Sequence, residues 1–124
     1  MRVVVTFPIP DVARQMISEH AELQCWDSED AIPSSTLTDW VTDADAILTT
    51  LTCPIGRGVL ERASRLKIIS TVSVGVDHID VDAAAERGVI IGHTPGVLTD
   101  STADLTVALM LGVGRRVAGG DALI

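Results

Sequence analysis

Aromatic side chains are almost absent: no tyrosine, one phenylalanine and two tryptophans stand among 124 residues. Hydrophobic residues still make up 47% of the chain, so the core must be built from Val, Ile, Leu and Ala. Basic residues are also few. Nine Lys and Arg face 17 Asp and Glu, a formal net charge of −8. No basic patch is available to neutralise phosphates, which argues against a nucleic-acid partner. Only two cysteines occur, Cys25 and Cys53. Their spacing is not that of metal ligands, no CxxC is present, and a chain with this much core does not need a disulfide. Long hydrophobic runs are missing as well. The opening Met1–Phe7 is too short for the apolar part of a signal peptide. The longest apolar stretch, Leu105 to Gly114, is interrupted by Thr106 and falls well short of a membrane span. No membrane partner and a cytoplasmic setting are therefore expected.

What is present is an alternation of strands and helices. Strands are expected at Arg2–Phe7, Leu23–Trp26, Ala46–Thr50, Leu66–Val72 and Val89–Ile91. Helices are expected at Asp11–His20, from Ser35 or Thr36 through Val41, at Ile55–Ala63 after Pro54, and at Val81–Arg87 before Gly88. Repeating βα order implies a parallel five-stranded sheet with helices on both faces, an α/β fold of the flavodoxin-like, Rossmann-like kind. A last helix is expected over Ala103–Val117. Thr99 or Ser101 is placed to cap it, and Ser101-x-x-Asp104 resembles a capping box. That helix is apolar nearly all round, so it needs a partner on more than one side.

The segment Leu66–Asp80 carries the clearest chemical signal. A β-branched apolar run enters Val74-Gly75-Val76 and then an acidic stretch that starts a helix. Ligands of open α/β sheets bind at the carboxyl ends of strands. Backbone N–H groups at Val74, Gly75 and Val76 suit a small anion such as a carboxylate, although a plain βα turn reads the same way. The stretch Val89–Gly96 repeats the pattern and adds His93. His78 and His93 are candidate acid–base groups, but a lone histidine in such a loop is more often structural. Asp77, Asp80 and Asp82 most simply place negative charge at a helix N-terminus. Gly112-x-Gly114-x-x-Val117 lacks the third glycine of a dinucleotide fingerprint and follows a helical rather than a strand-like run. No nucleophile–base set and no metal site can be assembled.

The same residues resemble the D-isomer-specific 2-hydroxyacid dehydrogenases, in particular the glyoxylate/hydroxypyruvate reductase branch. The resemblance lies in Trp26-Asp27-Ser28, Leu66–Asp80, Arg87-Gly88-Val89 and Thr94–Leu105. It implies a substrate-binding domain over residues 1–98 and, over 99–124, the first helix of a nucleotide-binding domain that is otherwise missing. It also implies that Val74, Gly75 and Val76 take the substrate carboxylate, that Leu51 lines the pocket, and that Thr102 touches an NAD or NADP cofactor. His93 stands where many relatives carry asparagine. It is kept as a candidate substrate-binding residue. The glycine-rich loop, the arginine, the acid and the histidine of the family's catalytic apparatus match positions beyond Ile124. The resemblance therefore implies no catalytic residue in this chain, no cofactor bound to it alone, and no activity in isolation. Its partners would be a small 2-oxo or 2-hydroxy acid and a second copy, joined as a homodimer through the 103–117 helix. A protein-recruiting module on the same scaffold, like the related transcriptional corepressors, is the alternative. A phosphorylated receiver domain fits poorly, because strand one ends in Phe7-Pro8-Ile9-Pro10 where acidic residues would be needed.

Overall fold

Valine at positions 3, 4 and 5 has no polar neighbour to alternate with, which is how a strand buried on both faces reads. In the computed structural model, which describes residues 1–121, this run is an inner strand of a sheet, paired on both sides. Strands β1 (Arg2–Val5), β2 (Glu22–Cys25), β3 (Ala46–Thr49), β4 (Ile68–Thr71) and β5 (Ile90–Gly92) pair in the order β2-β1-β3-β4-β5. All four pairings are parallel. This is the expected flavodoxin-like order. The chain divides into two compact units, Met1–Thr94 and Pro95–Ile124. The expected second domain, 99–124, ends in three residues that lie outside the described ones.

In the first unit the two faces of the sheet carry separate apolar layers. Val4, Ile47 and Ile69 pack with Leu37 of α2 (Ser34–Trp40), Leu60 of α3 (Arg57–Arg62) and Ala83 and Ala84 of α4 (Val81–Glu86). Val3 and Val5 pack on the other face with Ala13 and Ile17 of α1 (Asp11–Ser18). Fully burying each large aliphatic side chain stabilises the fold by roughly 1.5–3 kcal/mol, and Ile47, Ile55, Leu60 and Ile69 are all fully buried. The buried core is thus aliphatic, and the three aromatics, Trp26, Trp40 and Phe7, pack against its margins, partly buried. Cys25 and Cys53 are free thiols.

Several boundaries differ from the sequence expectation, each for a local reason. Helix α3 begins at Arg57 rather than Ile55. Ile55 instead forms a parallel bridge with Ile79, donating to the His78 carbonyl at 2.7 Å and accepting from the Asp80 amide at 2.9 Å. Helix α2 has Pro33 before it and no side-chain cap, so the expected Ser35 or Thr36 cap does not form. At the acidic start of helix α4, Asp80 is also a cap: its side chain accepts from the Ala83 amide at 2.9 Å. It stops at Gly88, whose φ of 68° is the left-handed conformation that only glycine adopts without strain.

In the second unit, α5 spans Thr99–Gly114 and α6 spans Val117–Asp121. The expected start at Ala103 and the Ser101–Asp104 capping box are corrected. Leu98 occupies the cap position with no side-chain cap, and Ser101 donates its hydroxyl to the Leu98 carbonyl. The expected end at Val117 is also corrected. The chain breaks at Arg116, a non-glycine residue at φ 52°, and restarts as α6. Gly112 and Gly114 weaken the last turns of α5 by about 1 kcal/mol each relative to alanine. No side chain of α5 is buried.

Candidate anion-binding site at the carboxyl end of β4

The sheet presents hydroxyl groups at its carboxyl edge. Thr6 follows β1, Thr49 ends β3 and Thr71 ends β4, and all three are buried. The Thr6 hydroxyl donates to that of Thr49 at 3.1 Å. Thr49 and Thr71 are register partners. A buried hydroxyl must find a partner or cost roughly 1–3 kcal/mol, so this row organises the loops above it.

At β4 the row continues into the loop. Thr71 Oγ1 lies 2.7 Å from Ser73 Oγ, Ser73 Oγ donates to the Gly75 carbonyl at 2.7 Å, and His78 Nε2 lies 3.1 Å from Thr71 Oγ1. Counting protons fixes every direction. A carbonyl only accepts, so the Ser73 proton is spent on Gly75. Ser73 must then accept from Thr71, and Thr71 must accept from His78. His78 therefore carries its proton on Nε2. Its Nδ1 is buried and has no partner among the described residues. Burial pushes the His78 pKa below its ordinary value of 6.5, against an opposing pull from Asp77. The imidazole is neutral and part of the scaffold.

The loop itself is tied down through its carbonyl groups. The Ser73 carbonyl accepts from the Thr94 amide at 3.0 Å. The Val74 carbonyl accepts from His93 Nδ1 at 2.9 Å, and the Gly75 carbonyl accepts from Ser73. The amides from Ser73 through His78 donate to no acceptor among the described residues, and those of Val74, Gly75 and Val76 stand in the middle of that run. Three consecutive free N–H groups at the end of a parallel strand are what a carboxylate or other small anion requires. The Asp77 carboxylate works against this. Its Oδ2 lies 3.0 Å from where a Cβ on Gly75 would stand, so negative charge sits beside the loop.

The sequence-predicted residues fall into two groups. Val74, Gly75, Val76 and His93 come together, with His93 holding the loop rather than standing free as an acid–base group. Leu51 lies in the β3–α3 loop, exposed at the same edge of the sheet. That edge is also where the strand order reverses between β1 and β3, the usual ligand crevice of an open α/β sheet. Thr102 belongs to the second unit, exposed on α5. Gly112 and Gly114 are inside the same helix. They do not form a strand–loop–helix cradle, and the described residues do not fit a dinucleotide pyrophosphate. Ser73 and Thr71 escaped the sequence reading. The signal that could have found them is a hydroxyl at alternate positions where a buried strand should stay apolar.

A profile of the catalytic domain of D-isomer specific 2-hydroxyacid dehydrogenases matches residues 3–118. The chain belongs to this family. A glyoxylate reductase of Thermococcus litoralis is 41% identical over 123 residues, covering 99% of this chain and 37% of that protein. A solved protein of Thermus thermophilus superposes with a TM-score of 0.89 at 44% identity, covering 98% of this chain and 39% of the other. An NADPH-dependent glyoxylate/hydroxypyruvate reductase of Sinorhizobium meliloti, solved in complex with NADP and malonate, gives 0.67 at 25% identity, covering 90% of this chain and 33% of the other. The chain thus spans little more than a third of the length of these relatives. Among the described residues no helix is long and apolar enough to cross a membrane, and no His, Cys, Asp and Glu cluster could hold a metal ion.

Proposed function

We propose that this chain supplies the acid-binding loop of a reductase that converts a small 2-oxo acid, of the glyoxylate or hydroxypyruvate type, into its 2-hydroxy acid. NADH or NADPH supplies the hydride in such a reaction. The observation that carries the reading is the set of three free amides at Val74, Gly75 and Val76. In this reading they hold the substrate carboxylate, Leu51 forms an apolar wall beside it, and the free Nε2 of His93 faces the acid. Thr102 contacts the nicotinamide cofactor. The relatives named as reductases favour this over a protein-recruiting role.

Residues 1–98 act as the substrate domain and 99–124 as the start of the nucleotide-binding domain. Alone, the chain holds neither NADH nor NADPH tightly, because Gly112 and Gly114 are spent inside a helix. The partners are the small acid and a second copy of the chain, met through Ala103–Val117, in a cytoplasmic setting and away from nucleic acid and membranes.

Titration of sodium glyoxylate into the isotope-labelled chain tests the site. One or two charge-assisted hydrogen bonds are worth about 1.5–3 kcal/mol each, so half-saturation is expected at millimolar concentration or above. The amide resonances of residues 74–76 should move. Shifts confined to other loops would overturn the assignment.

A further inference from the structure

A trans peptide unit holds its C=O and the following N–H in one plane, pointing in opposite directions. Among the described residues no peptide bond is cis. Fixing a carbonyl therefore aims the next amide. In the β4–α4 loop four successive carbonyls are held in this way; the last, that of Val76, accepts from the Ile79 amide at 2.9 Å and sets the Asp77 N–H, and the first three set the amides of the proposed site. The Thr94 amide fixes the Ser73 carbonyl, and with it the Val74 N–H. His93 Nδ1 fixes the Val74 carbonyl, and with it the Gly75 N–H. The Ser73 hydroxyl fixes the Gly75 carbonyl, and with it the Val76 N–H.

The geometry points to Ser73 and His93 as positioning residues that aim the Gly75 and Val76 amides at a bound carboxylate by holding the carbonyl on the far side of each peptide plane. Behind Ser73, Thr71 and His78 keep its hydroxyl directed at Gly75, because the proton order along His78, Thr71, Ser73 and Gly75 has only one solution. His93 reaches the loop from the segment after β5, so two strands share the control of one receptor. The inference rests on the reading of this loop as the carboxylate site, and it assigns the loop's orientation to the Ser73 hydroxyl and to Nδ1 of His93, apart from any contact that His93 Nε2 makes with the acid.

The pre-organisation has a consequence without any ligand. The Gly75 and Val76 amides should be as rigid on the nanosecond timescale as the strand before them, although they donate to no acceptor among the described residues. Amide relaxation and sodium glyoxylate titration on the wild-type chain and on Ser73→Ala, Ser73→Thr and His93→Phe give the test. We expect Ser73→Ala to lower the order of the Val76 amide and His93→Phe that of the Gly75 amide. Each should weaken glyoxylate binding about fivefold or more, with amides elsewhere in the sheet unchanged. Ser73→Thr keeps the hydroxyl and should restore both readouts. Equal affinity and equal order in all four chains would overturn the positioning role while leaving the carboxylate site standing. If the wild-type chain binds no glyoxylate at this loop, the carboxylate site fails. The positioning role then falls or survives on the order of the two amides alone.

Discussion

Nδ1 of His93 lies 2.9 Å from the carbonyl oxygen of Val74, nineteen residues earlier in the chain. A carbonyl has no proton to give, so the imidazole must donate from Nδ1. The two loop histidines thus hold opposite tautomers, His93 protonated on Nδ1 and His78 on Nε2. Long-range nitrogen–proton correlation spectra at pH 8 should show one of each. Two identical tautomers would break one of the two hydrogen-bond chains.

His78 should also leave a mark on stability. Its folded pKa lies below the unfolded value near 6.5 because burial disfavours the imidazolium. As pH falls through 6.5 the unfolded chain takes up the proton first. The contribution of His78 is therefore whole above pH 6.5 and is lost as pH falls toward and through its folded pKa. Urea midpoints for the wild-type chain and for His78→Gln should run parallel from pH 8 to 7 and converge below 6.5. A constant separation down to pH 5 would contradict the buried neutral ring.

The Asp77 carboxylate beside Gly75 opposes any bound anion. At a separation of about 7 Å and an effective dielectric near 20, two like charges repel by about 2 kcal/mol, and by far less when fully exposed to water. Because Asp77 is exposed, the lower part of that range applies. Asp77→Asn should tighten glyoxylate binding by about threefold at low ionic strength, with the gain fading in added salt. Unchanged affinity at low salt would place the anion away from Gly75.

Leu105, Leu109 and Val113 form one exposed stripe along α5. Burial of such side chains is worth roughly 1.5–3 kcal/mol each, against an association cost of about 4–15 kcal/mol. Covering most of the apolar surface of α5 outweighs that cost, so a two-fold dimer is expected. Sedimentation at tens of micromolar should show it. Leu109→Glu combined with Val113→Glu should return the chain to monomer, and a wild-type monomer at that concentration would refute the contact.

Much of this was legible in the sequence because the cues were local. The Val3–Val5 run, the turn at Gly88 and the acidic residues at the start of α4 each act within a few residues, and each element appeared where its cue stood. The five parallel strands followed from the βα alternation. Other features were set by partners distant in sequence. Ile55 was drawn out of α3 by Ile79, a contact that no helix signal encodes. The role of Ser73 depends on Thr71, His78 and the Gly75 carbonyl meeting in space. His93 was picked out as a chemical group, yet its Nδ1 is committed to Val74 by the pairing of β4 with β5. Helix α5 misled through its polar start, where Ser101 turned its hydroxyl to the Leu98 carbonyl instead of capping the amides.

The most direct measurement is a crystal structure of the chain soaked in sodium glyoxylate or malonate. The carboxylate oxygens should lie within about 3.2 Å of the Gly75 and Val76 amide nitrogens, with the Ser73–Gly75 and His93–Val74 hydrogen bonds intact. A carboxylate bound elsewhere while this loop holds only water would contradict the assignment of Val74-Gly75-Val76 as the acid-binding site.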